Sequence, residues 1–290
     1  MIAAMLFIPL LDVCAKVLSE SYHVLQVTWA RYLFHFLGLL PILTFRRQRW
    51  WRMPLSPTTQ LIRSIFLLLS TLFFFTAIVS TPIPNALALL FISPLVVTLL
   101  APFVLGERFE RWRIWTVVAG FIGVMIVLQP ATRAFNASSL FALAAGVAYA
   151  FYMMTTRSLS SERTPLLTLF YTGVVGVVLM SLIVPFVWQM PDLKGWGLMA
   201  LMGFIAATGH FLIIRALDFV SASLVAPFNY VEIIGATFVS YVFFDYLPNL
   251  IVWLGISIIV ISGVYSSIRE YRHSQANLLQ KPKTTRGKMR

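Results

Sequence analysis

The sequence predicts an all-α membrane protein of ten transmembrane helices, arranged as two inverted five-helix repeats with both termini cytoplasmic. Three observations carry this expectation. Ten apolar stretches of near-bilayer length fill the 290 residues. The last five repeat the pattern of the first five, and Lys and Arg gather in alternate breaks between them.

Composition excludes the main alternatives. Hydrophobic residues make up 59% of the chain and charged residues 11%, whereas a soluble domain carries about 25% charge to solvate its surface. A net charge of +12 suggests nucleic acid until it is placed along the chain. The basic residues lie in short breaks and in the tail from Arg269 to Arg290, where they set membrane orientation, so no nucleic-acid partner is expected. The single cysteine, Cys14, allows neither an intramolecular disulfide nor a cysteine metal cage.

Each span is bounded by a polar break. Ile2–Leu18 ends at SESYH, Val24–Phe45 at RRQRWWRMPLSP, and Leu61–Val79 at STPIP. Asn85–Leu105 ends at GERFERWR and Ile114–Leu128 at QPATRAFNAS. Leu140–Thr156, Pro165–Trp188 and Trp196–Ile214 follow, the first two ending at RSLSSERT and QMPDLKG; Ser221–Phe244 and Leu250–Ile268 complete the set. Against about 20 residues needed to cross hydrocarbon, the first, fifth and sixth are short. With a cytoplasmic N-terminus, inside segments hold 17 Lys and Arg, among them Arg46, Arg47, Arg49, Arg52, Arg108, Arg111, Arg113, Arg157, Arg163 and Arg215. Outside segments hold two, Arg133 and Lys194.

The repeat is legible residue by residue. ALALLFISPLVVTLLAPFVLGE, ending at Glu107, aligns with LVAPFNYVEIIGATFVSYVFFD, ending at Asp245, at an offset of 138 residues. An odd number of spans per copy inverts the second, and inverted repeats place a binding site between the halves near the midplane. The expected units are residues 1–130 and 138–268, followed by a basic cytoplasmic tail, 269–290.

The fourth span and its continuation, ISPLVVTLLAPFVLGER with GFIGVMIVLQP, and the sixth, LAAGVAYAFYMMTTRSL, resemble the EamA family of the drug/metabolite transporter superfamily, over about residues 2–268. The resemblance implies ten helices in two five-helix repeats and transport of a small metabolite. The family's Gly-Glu stands as Gly106-Glu107 in the first copy and becomes Phe244-Asp245 in the second; its acidic-proline step is here Glu232-Ile233. APFNYVEII is similar to the subgroup that includes S-adenosylmethionine uptake carriers.

Ionisable residues inside apolar spans are the candidate site, because a charge in hydrocarbon costs several kcal/mol unless paired or facing a cavity. Asp12 and Lys16 share a helix face at i, i+4; they either neutralise each other or line a pathway. Arg31 and His35 repeat that spacing, and Arg31 either snorkels outward or meets substrate. Glu232 has no basic residue within one turn and lies mid-span in the ninth helix. It is expected to take a coupling proton or hold a cationic group; the plainer alternative is a protonated carboxyl bonded to a neighbouring helix. Asn229 and Tyr230 lie just before it, and Pro227 breaks the helix at that level. Trp29, Tyr149, Tyr152 and Tyr230 add aromatic surface with polar handles. His210 reads as a core histidine.

No phosphate loop of the form GxxxxGK[ST] and no HExxH occurs, so neither ATP, metal nor other cofactor is expected. The expected function is secondary transport of a small amphipathic, cationic or zwitterionic metabolite across a bacterial inner membrane, with the lipid bilayer and that solute as partners. An intramembrane enzyme acting on lipid-linked groups needs a nucleophile–base pair that the sequence does not offer. A signalling protein using its basic tail on anionic lipid would not need charges inside both halves.

Overall fold

The computed structural model describes residues 1–46, 56–105, 111–129, 136–158, 165–219 and 226–280. Gly106-Glu107, Arg47, Arg49, Arg52, Arg108, Arg133, Arg163, the start of the ninth span and Lys281–Arg290 lie outside the described residues.

The described chain is helical throughout. In order it forms α1 (Ile2–Phe7), α2 (Pro9–Leu18), α3 (Val24–Phe45), α4 (Pro57–Ser80), α5 (Ile83–Leu90) and α6 (Ser93–Leu105). There follow α7 (Arg111–Leu128), α8 (Ser139–Ser158), α9 (Pro165–Ile183) with a 3₁₀ turn Val184–Val187, and α10 (Leu193–Phe219). A 3₁₀ turn Ala226–Tyr230 leads into α11 (Val231–Phe244), and α12 (Leu250–Gln280) ends the fold. Eight helical stretches are long and apolar enough to cross a bilayer; Phe228–Phe244 is apolar but shorter, and α1 and α2 together form a further apolar stretch.

Three predicted spans are broken, each beside a proline. Pro9 has no N–H to give the carbonyl of Met5, so the first span bends at Ile8 and resumes with Leu11 N–H on the Ile8 carbonyl at 2.8 Å. The fourth breaks at Phe91–Ile92 ahead of Pro94, and the ninth enters through the 3₁₀ turn that contains Pro227. Phe91 plus the repeat offset of 138 is position 229, so these two breaks fall at equivalent places in the two copies. Small residues receive the bends. A side chain at Gly235 would meet Pro9 Cγ at 3.1 Å, and one at Gly146 would meet the Leu90 carbonyl at 2.7 Å.

Helix starts are fixed by caps. The Nδ1 of His23 accepts from Leu25 N–H at 3.3 Å at the start of α3, Asp192 Oδ1 from Gly195 N–H at 2.7 Å before α10, and Asn249 Oδ1 from Val252 N–H at 2.9 Å before α12. Pro57 at the first position of α4 begins that helix earlier than hydropathy placed it. Asp245 takes a left-handed conformation, φ 51°, and closes α11 with Tyr246 N–H on the Ser240 carbonyl. At 31 residues, α12 is roughly 46 Å long. It carries the first part of the predicted solvated tail as helix well past the apolar stretch.

Packing follows the repeat. Exchanging the first five spans with the last five carries the α4–α8 contact onto α2–α10 and the α3–α10 contact onto α4–α9. The same exchange maps α3–α9, α7–α12 and α5–α11 onto themselves. The core is one large cluster of buried Leu, Ile, Val, Ala and Phe side chains. Large apolar residues also point outward, Trp115, Phe121, Leu182, Phe204 and Phe238 among them. Such a surface is stable against lipid and not against water.

Candidate functional site

Polar side chains that hydrophobic helices would not otherwise tolerate converge between the halves. Arg31 of α3 is 8% exposed. Its Nη1 donates to Thr71 Oγ1 at 2.9 Å, and its guanidinium lies 5.0 Å from the Tyr32 ring. Tyr32 also meets Thr71, at 3.1 Å. One step along α3, the buried His35 places its ring 5.7 Å from that of His210 on α10. His210 is thus brought into the cluster, though its sequence context read as core.

Arg63 is the residue that sequence reasoning missed. The hydropathy boundary at Leu61 put it at a span edge, but α4 begins at Pro57 and buries it to 4% exposure. Its Nε donates to Thr156 Oγ1 at 2.7 Å and its Nη1 to Thr172 Oγ1 at 2.7 Å and the Thr168 carbonyl at 3.3 Å. Its Nη2 donates to Tyr152 Oη at 2.9 Å. The signal was present in Ser56-Pro57, a helix-start pair four residues upstream of that boundary. Tyr149 stacks at 5.3 Å on Tyr152 and lies within electrostatic range of Arg63, Arg31 and Glu232. It therefore stands between the basic and acidic sides of the cluster.

The acidic side comes from both copies. Asp12 of α2 is 4% exposed and accepts no hydrogen bond among the described residues. Glu232 is the second residue of α11, in the first helical turn after the 3₁₀ turn that contains Pro227, the break read from the sequence at this level. The positive end of the helix dipole favours its carboxylate there. Glu232 lies within electrostatic range of Asp12 and retains accessible surface. Asn229, in the 3₁₀ turn, is half-buried and likewise bonds to nothing among the described residues.

Other predicted site residues sit elsewhere. The spacing of Asp12 and Lys16 does not yield an ion pair. Lys16 Nζ donates to the carbonyls of Ile78 and Thr81 (3.2 Å to the latter) and lies 5.5 Å from the Phe244 ring. It thereby caps the C-terminus of α4. Tyr230 turns its ring edge to Phe91 at 5.1 Å and buries its hydroxyl against Gly263 of α12, with no hydrogen-bond partner among the described residues. Trp29 donates to Ser181 Oγ at 2.9 Å and meets Trp188 edge-on at 5.5 Å.

At that end of the bundle hydrogen bonds join the two copies. Gln26 and Gln189 exchange two hydrogen bonds, at 2.7 and 2.9 Å. Tyr22 donates to Asp192 at 2.9 Å, Ser80 to Ser138 at 2.7 Å, and Tyr246 to Asn85 at 3.2 Å. Gly195 N–H and the Tyr22 hydroxyl hold the Asp192 carboxyl below its ordinary range. A lowered carboxylate contributes above its free value and is lost as pH falls through the folded value, so this contact persists into acid. Asn136 spends its side chain on the Ser80 carbonyl and Ser138 N–H.

A lipid-facing helical bundle with a charged interior between two packed copies is the architecture of a membrane transporter. The chain belongs to the EamA-like transporter family, whose sequence pattern matches residues 1–129 and, a second time, 136–268. It is similar to the S-adenosylmethionine uptake transporter of Rickettsia prowazekii, 25% identical over 239 residues, 82% of this chain and 81% of that one. It is also similar to the riboflavin transporter of Vibrio cholerae, 31% identical over 202 residues, covering 67% and 65%. The pseudopaline exporter of Pseudomonas aeruginosa matches at 25% over 209 residues, covering 70% and 72%. One solved crystal structure superposes with a TM-score of 0.62 at 16% identity, covering 93% of this chain and 98% of that one, and confirms the fold. The protein is therefore a multi-pass inner-membrane transporter of small molecules and not an enzyme.

Proposed function

We propose that this protein is a secondary carrier that moves a small amphipathic, cationic or zwitterionic metabolite by alternating access, with the substrate site between the two repeats. One observation carries the reading: Asp12 and Glu232, one carboxylate from each copy, lie on α2 and α11, which pack against each other inside the apolar bundle, and neither makes an ion pair or hydrogen bond among the described residues. A carboxylate inside an apolar bundle with no ion-pair partner is a cost unless it takes a proton or a cation during the cycle. The S-adenosylmethionine relatives support the solute class, since that molecule joins an amino-acid zwitterion to a further cation. The interlocked end at Gln26–Gln189 and Tyr22–Asp192 is the closed gate in this reading, and opening it breaks those inter-repeat bonds.

Uptake of labelled S-adenosylmethionine and riboflavin into liposomes carrying the purified protein tests the proposal. Saturable, protein-dependent accumulation of the first, competed by unlabelled zwitterions or cations, is the expected result. Leakage equal to that of protein-free vesicles for both solutes would remove the carrier reading.

Ten crossings with both termini cytoplasmic complete the proposal. A reporter active only in the cytoplasm is expected to be active when fused after Arg290 and silent in the loop near Arg133. The opposite pattern would invert the topology. The basic end of the chain is assigned to orientation and attraction to anionic lipid. Deleting Leu278–Arg290 is expected to leave uptake per inserted molecule nearly unchanged, because transmembrane helices hold a protein in the bilayer far more strongly than surface attraction to lipid does. Complete loss of uptake would give the tail a part in transport.

A further inference from the structure

Opposite charges share this interior without closing on each other. Asp12 lies within electrostatic range of Arg31, and Glu232 within range of Asp12, yet no ion pair joins any of them among the described residues. Arg31 and Arg63 meet only neutral acceptors. Buried charges of both signs, held apart, leave the desolvation cost of each uncompensated. The arrangement is complementary to a molecule that carries both signs itself.

The two arginines are not equivalent. Arg63 makes four hydrogen bonds that use all three of its nitrogens, so its side chain is fixed and its donors are nearly spent. Arg31 donates through Nη1 to Thr71 and also meets the Tyr32 hydroxyl, while its Nε is buried with no partner among the described residues. The Nε–Nη2 edge of a guanidinium is one that grips a carboxylate side-on through two parallel bonds. Thr71 and Tyr32 hold Arg31 so that the Nε of this edge is left over.

We propose that Arg31 is a carboxylate subsite and that the transported solute is an amino-acid-type zwitterion. Its carboxylate seats on the free edge of Arg31, and its cationic group lies toward Asp12 and Glu232. Arg63 is a positioning residue that adds positive potential behind the subsite without touching the solute. This rests on the carrier reading above and narrows it: a purely cationic solute would leave Arg31 unsatisfied.

The test reads binding and not flux, so its failure is distinguishable from failure of transport. Thermal unfolding of the purified full-length protein in detergent is followed with three matched sets of solutes. These are L-methionine, L-arginine and S-adenosylmethionine, each beside its methyl ester and its decarboxylated amine. At least one zwitterion is expected to raise the melting temperature. Its ester and its amine are expected to need at least about tenfold more for the same rise, the weight of a lost charge-assisted bond. Arg31→Lys, which keeps the charge but loses the fork, is expected to erase that tenfold preference while leaving amine binding unchanged. The comparison within the wild type stands even where the variant fails to fold. An ester or amine that stabilises as well as its zwitterion, or no stabilisation by any of the three zwitterions, would overturn the subsite.

Discussion

Glu232→Gln is expected to abolish concentrative uptake while leaving the protein folded and inserted. The swap keeps the shape and the hydrogen-bonding capacity of the side chain and removes its negative charge and its titratable proton. Its place explains why the protein tolerates the change. Glu232 sits in the first turn of α11, half-buried, with no hydrogen bond among the described residues to lose. Two functional roles separate cleanly in the same variant. A carboxylate that holds the solute's cationic group predicts an affinity loss of about 1.5–3 kcal/mol, some ten- to a hundredfold. A carboxylate that carries the coupling proton predicts failed net uptake with surviving exchange and a flattened pH dependence. Uptake and counterflow are measured on one preparation across pH. Wild-type rates for both with an unchanged pH profile would sink the assignment of Glu232 to the site.

Gly123→Val is expected to be the most damaging substitution outside the site. Helices α7 and α12 cross at backbone contact, through glycines on both sides. A Cβ at Gly123 would lie 2.9 Å from the Gly255 carbonyl oxygen and 2.8 Å from Ile259 Cγ1. A Cβ at Gly255 would lie 2.8 Å from the Gly123 carbonyl oxygen. No rotamer relieves a clash with backbone, so the helices must separate and lose dispersion contacts along their length. Overpacking of this kind costs about 1–3 kcal/mol or more, a fall of roughly 2–12 °C for a chain of this size at about 2–4 °C per kcal/mol. Thermal unfolding in detergent reads it directly. By contrast, no atom lies within 4 Å of a Cβ built at Gly197, so Gly197→Val is the matched control and is expected to shift little. An unshifted Gly123→Val would mean that α7 and α12 do not touch as closely as these distances state.

The two expected results bear on different links between sequence and function. Glu232 acts through charge at a helix entrance, and its effect is on coupling and affinity. Gly123 acts through the absence of a side chain, and its effect is on assembly. The polar cluster depends on that assembly, because Asp12 and Glu232 come from different copies, as do Arg63 and Tyr152. Loosening the bundle separates the charges that the solute is proposed to bridge.

Membrane residence, the ten apolar stretches and the duplication were all legible in the sequence. Burial in hydrocarbon is a property of a segment, summed over neighbouring residues, and needs no knowledge of what the segment touches. For the same reason Asp12, Arg31 and Glu232 stood out, each an ionisable group inside an apolar run. The tertiary structure decided everything that depends on contact between segments remote in the chain. Lys16, four residues from Asp12, bonds instead to carbonyls at the end of α4, 62 and 65 residues away. His35 finds His210 across the bundle. Arg63 looked like a boundary residue because hydropathy averages over a window, while its burial is set by α8 and α9 packing against α4. The breaks at Ile8 and Phe91–Ile92 follow from missing proline donors, but Gly209, Gly235 and Gly146 on neighbouring helices make room for them. Hydropathy determined which segments enter the membrane; packing determined which charges within them were left without partners, and those unpaired charges are the candidate site.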